Sequence, residues 1–306
     1  MSKIAQRLLT FFIGVPAIIA LLWFNPFGLN FIQIHIFMLA VSVLSANEFY
    51  RMLSPKFELF PRWVILLFDG IVFCSEYIFI RLGFEPQLNI WIMAILSVIL
   101  MGSLVFRKSF ENIITKLALS IFIIFYCGFM LAFVPALTWF GTRMQPEYAT
   151  VIPRFLLILF IITIFMCDSC AWFFGILFGK NNRGMFPASP NKSVVGFIGG
   201  IFGAVVFATL VTFFNNKFDI FNTGVIFPYY KICIISLVTS LFGIIGDLIE
   251  SVFKRDCGVK DSGKLIPGRG GLLDCSDSIT GAIPVYFIMI YFMLYPEIQA
   301  QVQVIL

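Results

Sequence analysis

Nine stretches of this sequence are apolar over a length that crosses a bilayer, and together they take up more than half of the chain. They fall at roughly 7–24, 29–47, 63–80, 88–106, 117–140, 155–175, 194–214, 232–249 and 279–295. A helix needs about 20 such residues to traverse the hydrocarbon core, and inside lipid its backbone groups must bond to one another. The composition agrees: 60% of the 306 residues are hydrophobic and only 12% are charged, against about 25% charged in soluble domains. The expected fold is therefore all-α, a polytopic transmembrane helical bundle of about nine spans. The run from Arg7 to Phe24 lacks a small-residue cleavage site and reads as the first helix, not as a cleaved leader. No long linker or convincing repeat interrupts the chain, so residues 1–306 read as one membrane domain. The seven cysteines are scattered, several of them in apolar runs, which argues against a disulfide framework. The single histidine, His35, lies inside a hydrophobic segment and reads as a packing residue.

The basic residues orient these spans. Sixteen of the 21 Lys and Arg residues fall at the N-terminus (Lys3, Arg7) or in the loops after the second, fourth, sixth and eighth spans. The other side holds Arg81, Arg143, Arg154, Lys217 and Lys231. The positive-inside rule then places the N-terminus in the cytosol and the C-terminus across the membrane.

Acidic residues inside or at the ends of apolar runs are the chemically informative ones, because burying a carboxylate in lipid costs several kcal/mol unless something pairs with it. Glu48 lies at a helix end and reads as interfacial, whereas Asp69 and Glu76, seven apart on one span, share a face. Asp168 and Asp247 each follow a long apolar run near the cytosolic end of a helix and lead into a glycine-containing polar segment. Asp247, Glu250 and Ser251 stand at i, i+3 and i+4, on one helical face, and Asp274 and Asp277 repeat the i, i+3 relation at the start of the last span. Between these acidic ends lie Lys254, Arg255, Lys260, Lys264 and Arg269, together with Gly258, Gly263, Gly268, Gly270 and Gly271. Carboxylates without histidine or paired thiolates suit Mg²⁺. Basic residues and closely approaching glycine backbones suit phosphates. That combination describes a phosphoryl- or nucleotidyl-transfer site.

These residues resemble the signature of the phosphatidate cytidylyltransferases, also called CDP-diacylglycerol synthases. Ser251, Lys254, Arg255, Lys260, Asp261, Gly263, Pro267, Gly268, Gly270, Gly271, Asp274 and Asp277 occur at the family's spacing. A second segment is similar as well, running from Asp168-Ser169-Cys170-Ala171-Trp172 through Phe178-Gly179-Lys180 to Ser189-Pro190-Asn191-Lys192 and Gly196. In three places the chain departs from the family pattern. Arg269 replaces a histidine, Cys275 replaces an arginine, and Val195 stands where a glutamate is frequent.

The resemblance implies that CTP and phosphatidate are the substrates, joined to give CDP-diacylglycerol and pyrophosphate. It implies Asp247, Ser251, Asp274 and Asp277 around Mg²⁺, with K⁺ as a second cation. Lys254, Arg255, Lys260 and Arg269 fall to the phosphates, with Lys192, Gly270 and Gly271 beside them. Asp261 joins the catalytic set, and Asp168 is a substrate-site candidate of undefined role. N-terminal helices over 1–150 and catalytic helices and loops over 155–295 follow from this reading. So do a homodimer in a bilayer of membrane lipids, no nucleic-acid partner, and a bacterial plasma (inner) membrane with the active site facing the cytosol. The rival readings are a CDP-alcohol phosphotransferase, whose carboxylate spacing is absent because Asp274 and Asp277 are only three apart, and an ion-coupled transporter using Asp168 and Asp247.

Overall fold

A computed structural model describes residues 14, 16–23, 31–84, 88–106 and 110–304. Among these the regular secondary structure is helical, joined by turns and loops that include two isolated bridges, Arg183 to Ser193 and Ile266 to Gly270. We label the main helices α1 (Ile32–Leu53), α2 (Arg62–Arg81), α3 (Asn89–Leu104), α4 (Ile113–Ile123), α5 (Val151–Phe178), α6 (Val194–Phe218), α7 (Tyr229–Asp256) and α8 (Leu273–Met289). Helix α4 runs into a π-helical turn at Ile124–Phe129, and α8 continues through another at Ile290–Leu294 into Tyr295–Val304.

Seven helical segments are long and apolar enough to cross a membrane: α1, α2, Ile113–Ala136, α5, α6, α7 and Leu273–Val302. Helix α3 is apolar but has only 16 residues. These eight coincide with eight of the stretches expected from hydropathy. Half of the ninth, 7–24, lies outside the described residues, which are helical at 14 and 16–23. Lys3, Arg7, Arg107 and Lys108, which enter the orientation argument, lie outside them too. The chain is a helical membrane protein.

It divides into two compact units. One comprises Met1–Ala136 with Phe253–Ser276, the other Leu137–Val252 with Asp277–Leu306. Of the three divisions, one falls after Ala136, one inside α7, between Val252 and Phe253, and one inside α8, between Ser276 and Asp277.

In the first unit, α1, α2, α3 and the α4 segment bury a core around Ala46, Phe49, Ile65, Val72, Leu96, Ile123 and Cys127, to which Leu273 is added from the C-terminal insertion. Phe253 joins the same core, stacked on Phe49 (centroids 5.6 Å, planes 22° apart) and edge-on to Phe122 and Tyr126. This aromatic contact fixes the C-terminal end of α7 within the unit. Asp69 is fully buried here, and its Oδ2 accepts a hydrogen bond from Ser42 Oγ at 2.8 Å. Gly128, in the π turn, lies so close that a Cβ there would meet Asp69 Oδ1 at 2.9 Å. His35 is buried as well, its Nδ1 3.2 Å from the Phe31 carbonyl and its ring edge-on to Tyr77.

In the second unit, α5 and α6 form a hairpin closed by glycines. A Cβ on Gly196 would come within 2.8 Å of the Ala171 carbonyl, and one on Gly200 within 2.8 Å of the Cys167 carbonyl. A Cβ on Gly199 or Gly203 would come closer still to the side chains of Phe174 and Cys170. Small residues at this four-residue spacing let two backbones approach in lipid, where helices have no hydrophobic drive to associate. Ser193 starts α6 as its N-cap, accepting from Gly196 N at 3.0 Å. Helices α7 and α8 approach by the same device: a Cβ on Gly246 would lie 2.5 Å from the Asp277 carbonyl and 3.0 Å from Gly281 Cα.

Candidate active site

The acidic and basic residues of the C-terminal loop are organised separately within each unit. In the first, the loop from Cys257 to Leu272 folds around the carboxylate of Asp274. Asp274 Oδ2 accepts from Gly271 N at 2.7 Å, Ser262 N at 2.9 Å and Ser262 Oγ at 3.0 Å, while Oδ1 accepts from Lys254 Nζ at 2.7 Å. Both members of the Lys254–Asp274 pair are well buried, with side-chain exposures of 12% and 7%. A desolvated, charge-assisted contact of this kind is stronger than a surface ion pair.

Glycine makes the wrap possible. Gly270 has φ +104°, and a Cβ there would collide with the Asp274 carboxylate. One turn earlier, Pro267 and Gly268 (φ +77°) occupy the central positions of a tight turn closed by Arg269 N to Ile266 O at 3.1 Å. Proline followed by a positive-φ glycine is what a type II turn requires. The turn leaves Arg269 exposed, and Arg255, Lys260, Asp261 and Lys264 are exposed too.

A residue far away in sequence completes this half. Glu48, buried on α1, accepts from Leu273 N at 2.9 Å and from Ser262 Oγ at 3.2 Å. Leu273 N is one of the unsatisfied donors of the first turn of α8, where a carboxylate is favoured by the helix dipole. Lys56, on the loop after α1, reaches the other end of the insertion, donating to Asp256 O at 3.1 Å and to Asp256 Oδ1 at 2.6 Å.

In the second unit, Lys192 forms an ion pair with Asp247, both side chains partly buried. Lys192 immediately precedes the Ser193 N-cap, so the start of α6 sets its position. Asp277 is buried, its Oδ1 accepts from Ser278 N at 2.6 Å, and it lies within electrostatic reach of Asp247, Glu250 and Asp168. Glu250 and Ser251 are buried on α7, whereas Asp168 is exposed on α5. Among the described residues no three His, Cys, Asp or Glu side chains stand close enough to hold a metal ion between them.

A profile of the cytidylyltransferase family matches residues 5–293. The chain belongs to the cytidylyltransferase family. Among curated relatives, the phosphatidate cytidylyltransferase of Haemophilus influenzae is 31% identical over 308 residues, covering 94% of this chain and 99% of that protein. The phosphatidate cytidylyltransferase of Staphylococcus aureus is 30% identical over 280 residues, covering 90% and 97%. That of Staphylococcus haemolyticus is 37% identical over 130 residues, covering 42% and 46%. The match to the cytidylyltransferases thus extends through the N-terminal helices, well beyond the two motif segments read from the sequence.

The structure brings Asp274 together with Lys254 and Gly271, places Gly270 against the same carboxylate, and brings Asp247 together with Lys192. Asp277 stands near Asp247 and Asp168, and Ser251 one turn from Asp247 on α7. Arg255, Lys260, Asp261 and Arg269 are exposed on or beside the loop. Sequence reasoning passed over Ser262 and read Glu48 as interfacial. Ser262 sits inside the signature at a position the pattern leaves open, and the partners of Glu48 are more than 200 residues away.

Proposed function

We propose that this cytidylyltransferase transfers CMP from CTP to phosphatidate, giving CDP-diacylglycerol and pyrophosphate. A phosphate oxygen of phosphatidate attacks the α-phosphorus of CTP. The new P–O–P bond forms as the bond to the β-phosphate breaks, and pyrophosphate leaves with the electron pair. Such a reaction needs positioning and charge neutralisation more than a covalent nucleophile. The observation that carries the reading is the folding of the signature loop: its buried carboxylate anchors the backbone while Lys260 and Arg269 stay exposed for anionic groups.

Asp247 and Asp274 each hold a lysine ammonium, so both carboxylates sit where a cation is accommodated. The family resemblance assigns oxygens of Asp247, Ser251, Asp274 and Asp277 to Mg²⁺ and adds K⁺ as a second ion, and hard oxygen ligands suit such cations. When bound, Mg²⁺ would neutralise CTP phosphate charge. Lys192 and Lys254 orient the acids, Lys254 also serves the phosphates with Arg255, Lys260 and Arg269, and Gly270 and Gly271 keep the backbone close. Asp261 belongs to the same loop, and Asp168 is assigned to the substrate side.

The proposal extends to nine spans, a cytosolic N-terminus, a homodimer and a bacterial inner membrane with the active site facing the cytosol. That orientation supplies cytosolic CTP while the lipid substrate keeps its tails in the bilayer. The carboxylate spacing of a CDP-alcohol phosphotransferase is absent, and the family match disfavours a transporter.

Purified protein supplied with CTP, phosphatidate and Mg²⁺ should form CDP-diacylglycerol, and chelating the metal should stop it. Consumption of CDP-diacylglycerol with a free alcohol, without the forward reaction, would favour the phosphotransferase instead.

A further inference from the structure

We propose that Glu48 is a positioning residue for nucleotidyl transfer: from α1 it sets the conformation of the signature loop and, through Ser262, the carboxylate of Asp274. The catalytic part of this claim rests on the function proposed above; the structural part does not. Glu48 is only 8% exposed. A leucine or methionine would fill such a site without the cost of desolvating a carboxylate. What compensates the carboxylate is the loop itself, through Leu273 N and Ser262 Oγ.

The fit is specific on both sides. A Cβ on Gly263 would collide with Glu48 Oε1, and one on Gly271 would collide with Glu48 Oε2. Two glycines of the signature therefore leave room for this side chain, at positions where the sequence reading had assigned glycine to phosphate approach. Gly271 also donates its N–H to Asp274, so one residue touches both carboxylates.

Ser262 links them more directly. Its hydroxyl is 3.2 Å from Glu48 Oε2 and 3.0 Å from Asp274 Oδ2, and its N–H donates to Asp274 at 2.9 Å. A hydroxyl carries one proton and serves one acceptor at a time. Glu48 thus competes with Asp274 for the Ser262 proton while holding Ser262 in place, and Asp274 in turn holds Lys254. The neighbours of Glu48 on the same stretch brace the insertion's other end: Phe49 stacks on Phe253, and Lys56 holds Asp256.

Full-length Glu48→Gln and Glu48→Ala proteins, with Ser262→Ala and the Glu48→Gln/Ser262→Ala double variant, test this in detergent or nanodiscs. Two measurements are made: backbone hydrogen exchange, and steady-state turnover per folded protein. Exchange should rise across 258–272 and stay at wild-type rates in α5 and α6, which also reports that the variants are folded. Turnover should fall about tenfold in Glu48→Gln, which keeps an acceptor for Leu273 N, and about a hundredfold in Glu48→Ala. The double variant should be within about twofold of the worse single one, because the two residues act in one chain. Unchanged exchange in 258–272 overturns the proposal, as does turnover per folded protein within about twofold of wild type in both Glu48 variants. A wild-type protein that converts no phosphatidate would contradict the substrate assignment alone, and the exchange measurement would then decide the role of Glu48.

Discussion

Asp274 takes hydrogen bonds from a lysine, a hydroxyl and two backbone N–H groups, and that list explains why so many glycines crowd its neighbourhood. The three donors from Ser262 and Gly271 reach it because the loop backbone passes close, while Lys254 reaches it from α7. Arg269 has a different standing, held out at the tip of the turn formed by Pro267 and Gly268. It occupies the position of the family's histidine, while Cys275 stands where the family has arginine. If Arg269 supplies the charge that position 275 lacks, Arg269→Ala should lower kcat/KM for CTP by about ten- to a hundredfold. Adding Cys275→Arg should then recover activity to within about threefold of wild type; no recovery would show that the two cations are not interchangeable. At this scale the sequence was readable in its helical spacing: Asp247 and Ser251 lie one turn apart on α7, and Asp274 and Asp277 one turn apart on α8. It was not readable for Glu48, because nothing in Ala46-Asn47-Glu48-Phe49-Tyr50 announces a partner 225 residues away.

Helices α5 and α6 owe their pairing to the row Gly196, Gly199, Gly200 and Gly203 facing Cys167, Cys170, Ala171 and Phe174. Leucine at Gly200 would press against the Cys167 carbonyl. Overpacking of this sort costs about 1–3 kcal/mol, so Gly200→Leu should lower the melting temperature in detergent, and activity with it by shifting Lys192. An unchanged melting temperature would mean that the hairpin does not depend on this contact. The same elements show what hydropathy conveys about helices. It located α5 and α6 to within a few residues, because lipid demands a continuous apolar run. It placed the end of the eighth span at 249, whereas α7 continues to Asp256. The added turns carry Glu250, Ser251, Lys254 and Arg255, polar residues that are helical through tertiary contacts such as Phe253 on Phe49, and hydropathy is blind to those. The π turn at Ile124–Phe129 was hidden for a related reason: it alters hydrogen-bond register without altering polarity.

For the molecule as a whole, the proposed nine-span arrangement puts the two termini on opposite sides of the membrane. A protease-sensitive tag at the N-terminus should resist externally added protease in intact spheroplasts, and the same tag at the C-terminus should be cleaved. Tags behaving alike would remove one span from the count. The division into two units, one interrupted by helices 137–252, was not legible, because hydropathy orders helices along the chain without pairing them. The central claim is cytidylyl transfer, and the fate of CTP's phosphates tests it most directly. Purified protein given phosphatidate and CTP labelled at the α-phosphate should place the label in lipid, whereas γ-labelled CTP should release it all as pyrophosphate. Label from the γ-phosphate appearing in lipid, or α-label never reaching it, would contradict the account.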